Sequence, residues 1–353
     1  MEKRDKNRSR KEIEPYFYAP PKKARAILWA NESPYDIPLP LKLAAAFKSL
    51  SLRYNRYPES EATELRKALS EKLGISPDNI LVGNGSDELI FMIMMALLKG
   101  ASRVVMPNPT FSIYEYAARA LGHRVIKVNL EKDFSLNPQK IIEKRPSITF
   151  IAWPNNPTGV LYPKETLFQL VGKDFWLVVD EAYHEFSGHT LIREATSHPR
   201  LIVLRTFSKA YSLASLRVGY LVARSETIQL IRKYKLPFNV DGFSREVAAL
   251  SLKMYPKGLP AVKKILRERE LLYRKLLNLG LEVVPSKANF LMIRLGKRAK
   301  DIFAILKKRG ILIRLIDYPS KENPQYIRIT VGKPSENRLL VRELEKALME
   351  VSP

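Results

Sequence analysis

The feature that most constrains the fold is a series of short apolar runs that alternates with helix candidates between residues 61 and 223. Two of these candidates are EATELRKALSEKLG and DELIFMIMMALLKG. The seven apolar runs, typical of strands buried on both faces, are NILVG, RVVMP, HRVIKVN, SITFIAW, FWLVVD, RLIVLRT and RVGYLVA. The alternation predicts an α/β fold, in which a large domain has a mostly parallel seven-stranded sheet between helices.

The length of 353 residues is sufficient for two domains and a terminal extension. Residues 1–40 begin with a segment of about 12 residues that is rich in charged side chains, and they contain six prolines, so we expect an extended N-terminal arm. Residues 41–240 form the predicted large domain. Residues 241–353 contain long amphipathic helices, the strand candidates NFLMIRL, GILIRLI and YIRITVG, and a last helix, which predicts a smaller α+β domain. The arm is a candidate to join that smaller domain.

The composition argues against several classes of protein. There is no cysteine, and the four histidines are scattered without an HExxH spacing, so we expect neither a disulfide nor a metal site. No apolar run reaches membrane-spanning length and no signal peptide is evident, so we expect a cytoplasmic protein. A net charge of +24 favours anionic ligands, but no nucleic-acid-binding motif accompanies it, and we predict no nucleic-acid partner. Richness in Lys, Arg and Glu is also compatible with a thermophilic source.

A lysine at the end of the strand candidate RLIVLRT is the most informative single residue. Lys209 follows Thr206 and Ser208, and Arg217 comes eight residues later. A lysine near an arginine at a buried strand end has a lowered pKa and suits Schiff-base formation with an aldehyde. The two hydroxyls and Arg217 suit a phosphate group. Pyridoxal 5′-phosphate (PLP) carries both groups, although a solvated lysine would also satisfy this local pattern.

Four further segments contain residues that the same cofactor could use. GNGSDELIF, which includes Ser86 and Asp87, has the glycine-rich turn and helix start that bind phosphate, or forms a plain capped helix. MPNPTFSIYEY offers Phe111 or Tyr114 for stacking on an aromatic ring, with core packing as the alternative. In WPNNPTG, Asn156 could donate to a phenolate oxygen, or the segment is a simple turn.

The fourth segment, FWLVVDEAYHEF, places Asp180 at the end of a buried strand. A buried carboxylate is unfavourable without a cation, and a protonated pyridine nitrogen would supply one. Tyr183, three residues later, could reach the hydroxyl of the same ring. A helix-capping role for Asp180 is the alternative interpretation.

These motifs together resemble a known family. GNGSDE, NNPTG, DEAYHEF and RTFSKAYSLASLRVGY, in this order, are similar to the fold-type I PLP-dependent aminotransferases of class I and II. NESPYDIP, NRYPES, LPFNV, ANF, GILIR and YIRITVGK extend the similarity to the histidinol-phosphate aminotransferases, from about residue 13 to the end. Within that family, the resemblance implies cofactor-binding roles for Tyr57, Gly85, Ser86, Asp87, Phe111, Asn156, Asp180, Tyr183, Thr206, Ser208, Lys209 and Arg217.

The resemblance also implies individual roles. Lys209 would hold the cofactor and shuttle a proton, Asp180 would pair with the pyridine nitrogen, and Tyr183 would contact the ring oxygen with Asn156. Tyr57 would reach the cofactor phosphate of a second copy, which implies a homodimer with sites at the subunit interface. The substrate-binding residues would be Arg328, assisted by Arg314, and Tyr16 in the arm.

The implied reaction transfers an amino group between L-histidinol phosphate, with imidazole acetol phosphate as product, and 2-oxoglutarate or glutamate in histidine biosynthesis. An aromatic amino-acid aminotransferase and a threonine-phosphate decarboxylase of the same family are alternatives. A regulator that binds nucleic acid through a PLP-type domain is a more remote one, because such fusions usually carry a separate DNA-binding module.

Overall fold

The computed structural model describes residues 24–351. The strands, in chain order, are β1 (Ala26–Ile27), β2 (Ile80–Asn84), β3 (Arg103–Asn108), β4 (Arg124–Asn129), β5 (Ile148–Ala152), β6 (Trp176–Asp180), β7 (Leu201–Thr206), β8 (Val218–Val222), β9 (Glu282–Val284), β10 (Phe290–Arg294), β11 (Ile311–Leu312), β12 (Arg314–Pro319) and β13 (Pro324–Thr330). Each of the seven predicted strands of the large domain corresponds to one of β2–β8, because short runs that are apolar on both faces can be buried only inside a covered sheet.

The helices separate these strands and cover their sheets. In chain order they are α1 (Leu39–Ser51), α2 (Thr63–Leu73), α3 (Gly85–Leu97), α4 (Ser112–Ala120), α5 (Pro138–Ile142), α6 (Lys164–Phe168), α7 (His184–Ser187), α8 (Ile192–Ala195), α9 (Ser225–Arg232), α10 (Gly242–Met254), α11 (Pro260–Asn278), α12 (Ala299–Lys308) and α13 (Pro334–Glu350). No helix among residues 24–351 is long and apolar enough to cross a membrane.

The larger sheet has the strand order β2-β8-β7-β6-β5-β3-β4. All of its strands run in the same direction except β8, which is antiparallel to both of its neighbours. One hydrophobic core lies on each face of this sheet, and the two cores alternate along every buried strand. The arrangement confirms the predicted α/β fold with a mostly parallel seven-stranded sheet.

The strand order brings the predicted motifs to a single edge of this sheet. The segments that contain Asn156, Asp180 and Lys209 follow the carboxyl ends of the neighbouring strands β5, β6 and β7. Because β8 is antiparallel, its amino end, directly after Arg217, lies at the same edge. The carboxyl edge is where open α/β sheets bind their ligands.

The C-terminal part contains an antiparallel sheet with the order β12-β13-β10-β9. The described part of the arm pairs with this region, because β1 is parallel to β11 and Leu28 is buried in its core. Helix α10 packs against α1 and α2 and so contributes to the layer that covers the large sheet. The division of the chain at residues 40 and 240 stays a prediction.

Candidate active site

A cavity of about 850 Å³ opens between the carboxyl edge of the large sheet and strands β12 and β13. It brings together most of the residues that the sequence indicated. The predicted residues that line it are Ser86, Asp87, Phe111, Asn156, Asp180, Tyr183, Thr206, Ser208, Lys209, Arg217, Arg314 and Arg328. Their convergence from positions more than 200 residues apart is a property of the fold, because most of them lie at a strand end, in the loop that follows a strand, or in the first turn of a helix.

Lys209 lies in the turn that follows β7. The turn is anchored by Phe207, whose side chain is fully buried and whose N–H donates to the carbonyl of Val218 at 3.0 Å. The ammonium of Lys209 donates to the carbonyl oxygen of Ala30 at 2.8 Å. Burial, together with the nearby Arg328 guanidinium, lowers the pKa of Lys209 to about 8. At neutral pH a useful fraction of this amine is therefore unprotonated and nucleophilic.

Asp180 is buried at the end of β6 and accepts hydrogen bonds from neutral donors only. Its Oδ2 accepts from the Tyr114 hydroxyl at 2.7 Å, and its Oδ1 accepts from the backbone N–H of Ala182 at 3.0 Å. Within residues 24–351, no lysine, arginine or histidine forms an ion pair with this carboxylate. Burial therefore raises the pKa of Asp180 to about 6, although the hydrogen bond from Tyr114 opposes the shift.

Asn156 and Tyr183 lie between Asp180 and the strand β13. Asn156 Oδ1 accepts from Nη1 of Arg328 at 2.5 Å, so the amide nitrogen of Asn156 is the group that can donate to a ligand. The Tyr183 hydroxyl oxygen accepts from Nδ2 of Asn31 at 2.9 Å. Burial raises the pKa of Tyr183 to about 12, so its proton is retained at neutral pH.

Arg328 is fixed at the opposite wall of the cavity. Besides its contact with Asn156, it donates from Nη2 to the carbonyl oxygen of Trp29 at 2.6 Å. Its guanidinium lies 5.3 Å from the ring centroid of Phe290, within the range of a cation–π interaction. Arg314, on the neighbouring strand β12, is exposed at the rim. Both cations line the cavity, and together they suit an anionic group of a ligand.

The hydroxyls of Thr206 and Ser208 form a small polar cradle with Arg217. Thr206 Oγ1 donates to Ser208 Oγ at 2.9 Å, and Arg217 Nη1 donates to the same oxygen at 3.3 Å. Gly85 has a left-handed φ of 73°, and a Cβ at this position would lie 2.6 Å from Nη2 of Arg217. Gly85 is therefore needed both for its backbone conformation and for the space that Arg217 fills.

The turn at Gly85 begins helix α3, whose free N–H groups and dipole attract anions. A Cβ at Gly219 would lie 2.6 Å from the backbone nitrogen of Ser86, so this glycine allows β8 to approach the helix start. Asp87 forms an ion pair with Arg217 through Oδ2 and Nη2 at 2.9 Å. Its carboxylate therefore orients the arginine, while the backbone of the turn faces the cavity.

These groups match the chemistry of PLP. The cradle of two hydroxyls, an arginine and a helix start suits its phosphate, and the Lys209 amine suits its aldehyde. The observation that fits most specifically is the buried carboxylate of Asp180, which faces the cavity without a cation, because a protonated pyridine nitrogen would neutralise it. Phe111, which meets Tyr114 edge to face at 5.4 Å between ring centroids, offers an aromatic surface for the same ring.

Of the predicted residues that the structure describes, Gly85 and Tyr57 do not line the cavity. Tyr57 is 82% exposed and stacks on Phe238, with ring centroids 4.6 Å apart. It does not line the cavity of its own chain. Tyr16 lies outside the described residues.

Sequence reasoning missed two contributors. Tyr114 was considered for ring stacking only, whereas its hydroxyl holds Asp180. Its position three residues after Phe111 at a helix start could have indicated that both rings share one face. Asn31 was named only within the string NESPYDIP, yet it contacts Tyr183, 152 residues away.

Comparisons with known proteins agree with this geometry. Residues 27–344 match the family described as "Aminotransferase class I and II". Histidinol-phosphate aminotransferase 1 of Carboxydothermus hydrogenoformans is 43% identical over 325 residues, which are 90% of this chain and 92% of that protein. The histidinol-phosphate aminotransferase of Aquifex aeolicus is 36% identical over 331 residues, which are 92% and 93% of the two chains. Thermophilic organisms are thus among the sources of similar proteins.

Solved structures extend the similarity to the fold. The histidinol-phosphate aminotransferase of Sinorhizobium meliloti, in complex with pyridoxal-5′-phosphate, has a TM-score of 0.86 at 27% identity and covers 96% of each chain. The L-threonine-O-3-phosphate decarboxylase of Porphyromonas gingivalis has a TM-score of 0.78 at 25% identity, over 92% of this chain and 99% of that one.

Proposed function

The chain belongs to the aminotransferase class I and II family, and from this premise we propose that it is a PLP-dependent histidinol-phosphate aminotransferase. It transfers the amino group between L-histidinol phosphate and 2-oxoglutarate, with imidazole acetol phosphate and glutamate as products, in histidine biosynthesis. The observation that carries the proposal is the sequence identity of 36–43% to two histidinol-phosphate aminotransferases, over about nine tenths of the chain. The cavity adds the required functional groups.

We infer the cofactor contacts from the geometry of the cavity. Lys209 would bind the aldehyde, and Asp180 would pair with the protonated pyridine nitrogen. Asn156 and Tyr183 would donate to the ring oxygen, and Phe111 would offer its ring for stacking. The turn and cradle residues would bind the phosphate: Gly85, Ser86, Asp87, Thr206, Ser208 and Arg217. When bound, PLP supplies a carbonyl that accepts the amino group and a protonated ring that withdraws electrons from the substrate α carbon.

The residues of the chain then orient the substrate and move its proton. Arg328, assisted by Arg314, binds the phosphate of histidinol phosphate in one half-reaction and a carboxylate of glutamate in the other. Lys209 removes the proton from the substrate α carbon, and its pKa of about 8 suits a base that works near neutral pH. Tyr16 is a further candidate for closing over the substrate.

The active form is proposed to be a homodimer. Leu39, Leu43, Phe47 and Leu50 are exposed on one side of α1, and Tyr57 is exposed nearby in the sequence. Contiguous exposed apolar side chains are typical of surfaces that another protein covers. Tyr57 would reach the cofactor phosphate in the second copy. Location in the cytoplasm and the absence of a nucleic-acid partner also belong to this proposal.

The substrate is tested by a single-turnover experiment on the PLP-loaded protein. Histidinol phosphate, phenylalanine and threonine phosphate are mixed with it separately, and the loss of the yellow cofactor absorbance is followed with time. We expect rapid loss with histidinol phosphate and much slower loss with the other two. Equal rates with phenylalanine would indicate an aromatic aminotransferase, and release of carbon dioxide from threonine phosphate would indicate a decarboxylase.

The shared site is tested by mixing two inactive variants. Tyr57→Ala and Lys209→Ala impair different halves of the proposed site, so a mixed dimer contains one site with both native residues. We expect sedimentation to give a dimer and the mixture to regain up to about a quarter of the native activity, since half of the dimers are mixed and each has one intact site. A monomer, or no recovery after subunit exchange, would contradict the shared site.

A further inference from the structure

Asn31 is a buried polar residue of the arm that the proposed mechanism does not use. Its side chain is 2% exposed, and its backbone has a left-handed φ of 54°, a conformation that asparagine adopts more readily than most residues. It lines the cavity beside Tyr183. Its carbonyl oxygen accepts from Nδ2 of Asn289 at 2.9 Å, which fixes the arm to the start of β10.

The hydrogen bonds around Asn31 are consistent with one orientation of its amide group, the one found in the structure. Its backbone N–H donates to Thr330 Oγ1 at 2.9 Å, so the hydroxyl proton of Thr330 is free to bond elsewhere. That hydroxyl donates to Oδ1 of Asn31 at 3.3 Å. The amide oxygen therefore faces Thr330, and the amide nitrogen faces Tyr183 at 2.9 Å.

An amide nitrogen donates hydrogen bonds and does not accept them. The Tyr183 oxygen is consequently an acceptor toward Asn31, and the single proton of its hydroxyl cannot point in that direction. The proton is left for an acceptor on the cavity side. The charged groups that affect the pKa of the Tyr183 hydroxyl are Arg328 on β13, Asp180 at the end of β6 and Asp87 at the start of α3. The carboxylate of Asp180 is instead hydrogen-bonded to the Tyr114 hydroxyl, and that of Asp87 to Arg217.

We propose that Asn31 is a positioning residue that directs the Tyr183 hydroxyl proton toward the ring oxygen of PLP. The inference rests on the proposed function, because it requires the cofactor in this cavity. A phenolate oxygen on the ring needs a donor, and a tyrosine whose proton pointed elsewhere would present a lone pair to it. Through Asn31 the arm and the small sheet take part in binding the cofactor, without touching it.

The test is a thermodynamic cycle on cofactor binding. Asn31→Asp has nearly the same shape but places an acceptor opposite Tyr183, so the hydroxyl proton turns away from the cavity. The dissociation constant of PLP is measured by equilibrium dialysis for the native protein, Asn31→Asp, Tyr183→Phe and the double variant. We expect each single substitution to raise the dissociation constant of PLP about tenfold. The dissociation constant of the double variant should be at most about three times that of Tyr183→Phe alone.

Two further variants distinguish a change in the direction of the Tyr183 hydroxyl proton from a general loosening of the arm. Asn31→Gly tolerates the left-handed backbone and removes the donor without adding charge, so we expect weaker binding only while Tyr183 is present. Asn289→Ala loosens the same part of the arm but leaves the Tyr183 contact intact, so its effect should be equal in both backgrounds. Thermal melts of the cofactor-free proteins establish that each variant is folded.

The outcomes distinguish the inference from the proposed function. Equal weakening by Asn31→Asp with and without Tyr183 would overturn the inference, because Asn31 would then act through the arm alone. If Tyr183→Phe leaves the dissociation constant unchanged, the contact of Tyr183 with the ring fails, and the inference fails with it. If no variant and no native protein binds PLP, the proposed function itself is wrong.

Discussion

Two consecutive carboxylates at the end of β6 have opposite electrostatic environments: one is paired with a cation, and the other, within the described part of the chain, is not. Asp180 and Glu181 are consecutive at the end of β6, and both are buried. Glu181 lies on the side away from the cavity, where Arg205 donates to its Oε2 from Nε at 3.0 Å and from Nη2 at 2.8 Å. Thr190 and the backbone N–H of Leu191 complete its hydrogen bonds at 2.8 and 2.6 Å.

On the cavity side, Asp180 receives two neutral donors and no cation. A buried carboxylate without a counter-charge is unfavourable, so folding alone does not explain it. The difference indicates that Glu181 and Arg205 stabilise the protein, whereas Asp180 is kept for a charge that arrives with a ligand. The comparison can be tested by substitutions on each side.

The largest effect is expected from the cavity-side lysine. Lys209→Ala should lower turnover by roughly a thousandfold or more, because it removes the buried amine that is proposed to hold the cofactor and move the α proton. The fold and some non-covalent PLP binding should remain. Stopped-flow rates and dialysis measure the two effects.

The control is Lys72, a lysine outside the cavity whose pKa is also lowered by burial. Lys72→Ala should keep near-normal turnover, since its ammonium does not line the cavity and instead donates to the carbonyl oxygen of Pro256. Near-normal turnover in Lys209→Ala would refute the role of the lysine.

On the far side of the sheet, Glu181→Gln should lower the free energy of unfolding by about 3 kcal/mol, because it removes the carboxylate that forms the buried ion pair with Arg205. Chemical unfolding of the cofactor-free protein measures this change. Glu226→Gln, which removes the exposed partner of Arg224, is the matched control and should leave the unfolding midpoint unchanged. A similarly small effect of Glu181→Gln would remove the contrast between the two carboxylates.

The adjacent substitution Asp180→Asn should change stability in the opposite direction. The pKa of Asp180 is about 6 in the folded protein and near 4 in an unfolded chain, so the folded state binds the proton more tightly. Stability of the native protein should therefore fall as the pH rises from about 4 to about 6. At pH 8 the neutral amide should stabilise the cofactor-free protein by about 2 kcal/mol, while turnover with PLP collapses.

The pH dependence provides the check on that prediction. The stabilisation by Asp180→Asn should disappear near pH 4, where the native carboxyl is protonated as well. Unfolding curves at pH 4, 6 and 8 measure it. A stabilisation that persisted unchanged at pH 4 would mean that the ionised carboxylate is not its origin.

The same contrast explains what the sequence could predict. Most of the strands β2–β8 were predictable because they are short, nearly continuous apolar runs. Lys209 and Asp180 were predictable because polar residues stand at or just after the ends of such runs. Arg205 was not recognised as the partner of Glu181. Alternate residues of a strand point to opposite faces of the sheet, and the sequence does not show which residues of two neighbouring strands share a face. The contacts of Asn31 and Trp29 could not be predicted from the sequence for a second reason. Each forms a hydrogen bond with a residue of β13 that is 299 positions away in the chain.

The smallest effect is expected from Tyr114, the hydroxyl that supports Asp180. Its hydrogen bond favours the ionised carboxylate, so Tyr114→Phe should raise the pKa of Asp180 by up to about one unit. Asp87 and Glu181, the nearby carboxylates that also raise this pKa, are unchanged in the variant. Carboxyl ¹³C NMR titration of the cofactor-free protein measures the shift directly.

Tyr116→Phe, in the same helix but with its ring against Phe91, is the control and should leave the titration of Asp180 where it is. A higher pKa leaves less of the Asp180 carboxyl ionised to pair with a protonated ring, so turnover of the PLP-loaded Tyr114→Phe variant should fall severalfold, most at low pH. If the carboxyl titrated identically in Tyr114→Phe and the native protein, Tyr114 would only fill space. The two sides of the sheet would then differ in the cation alone, and not also in a donor that tunes the cavity-side acid.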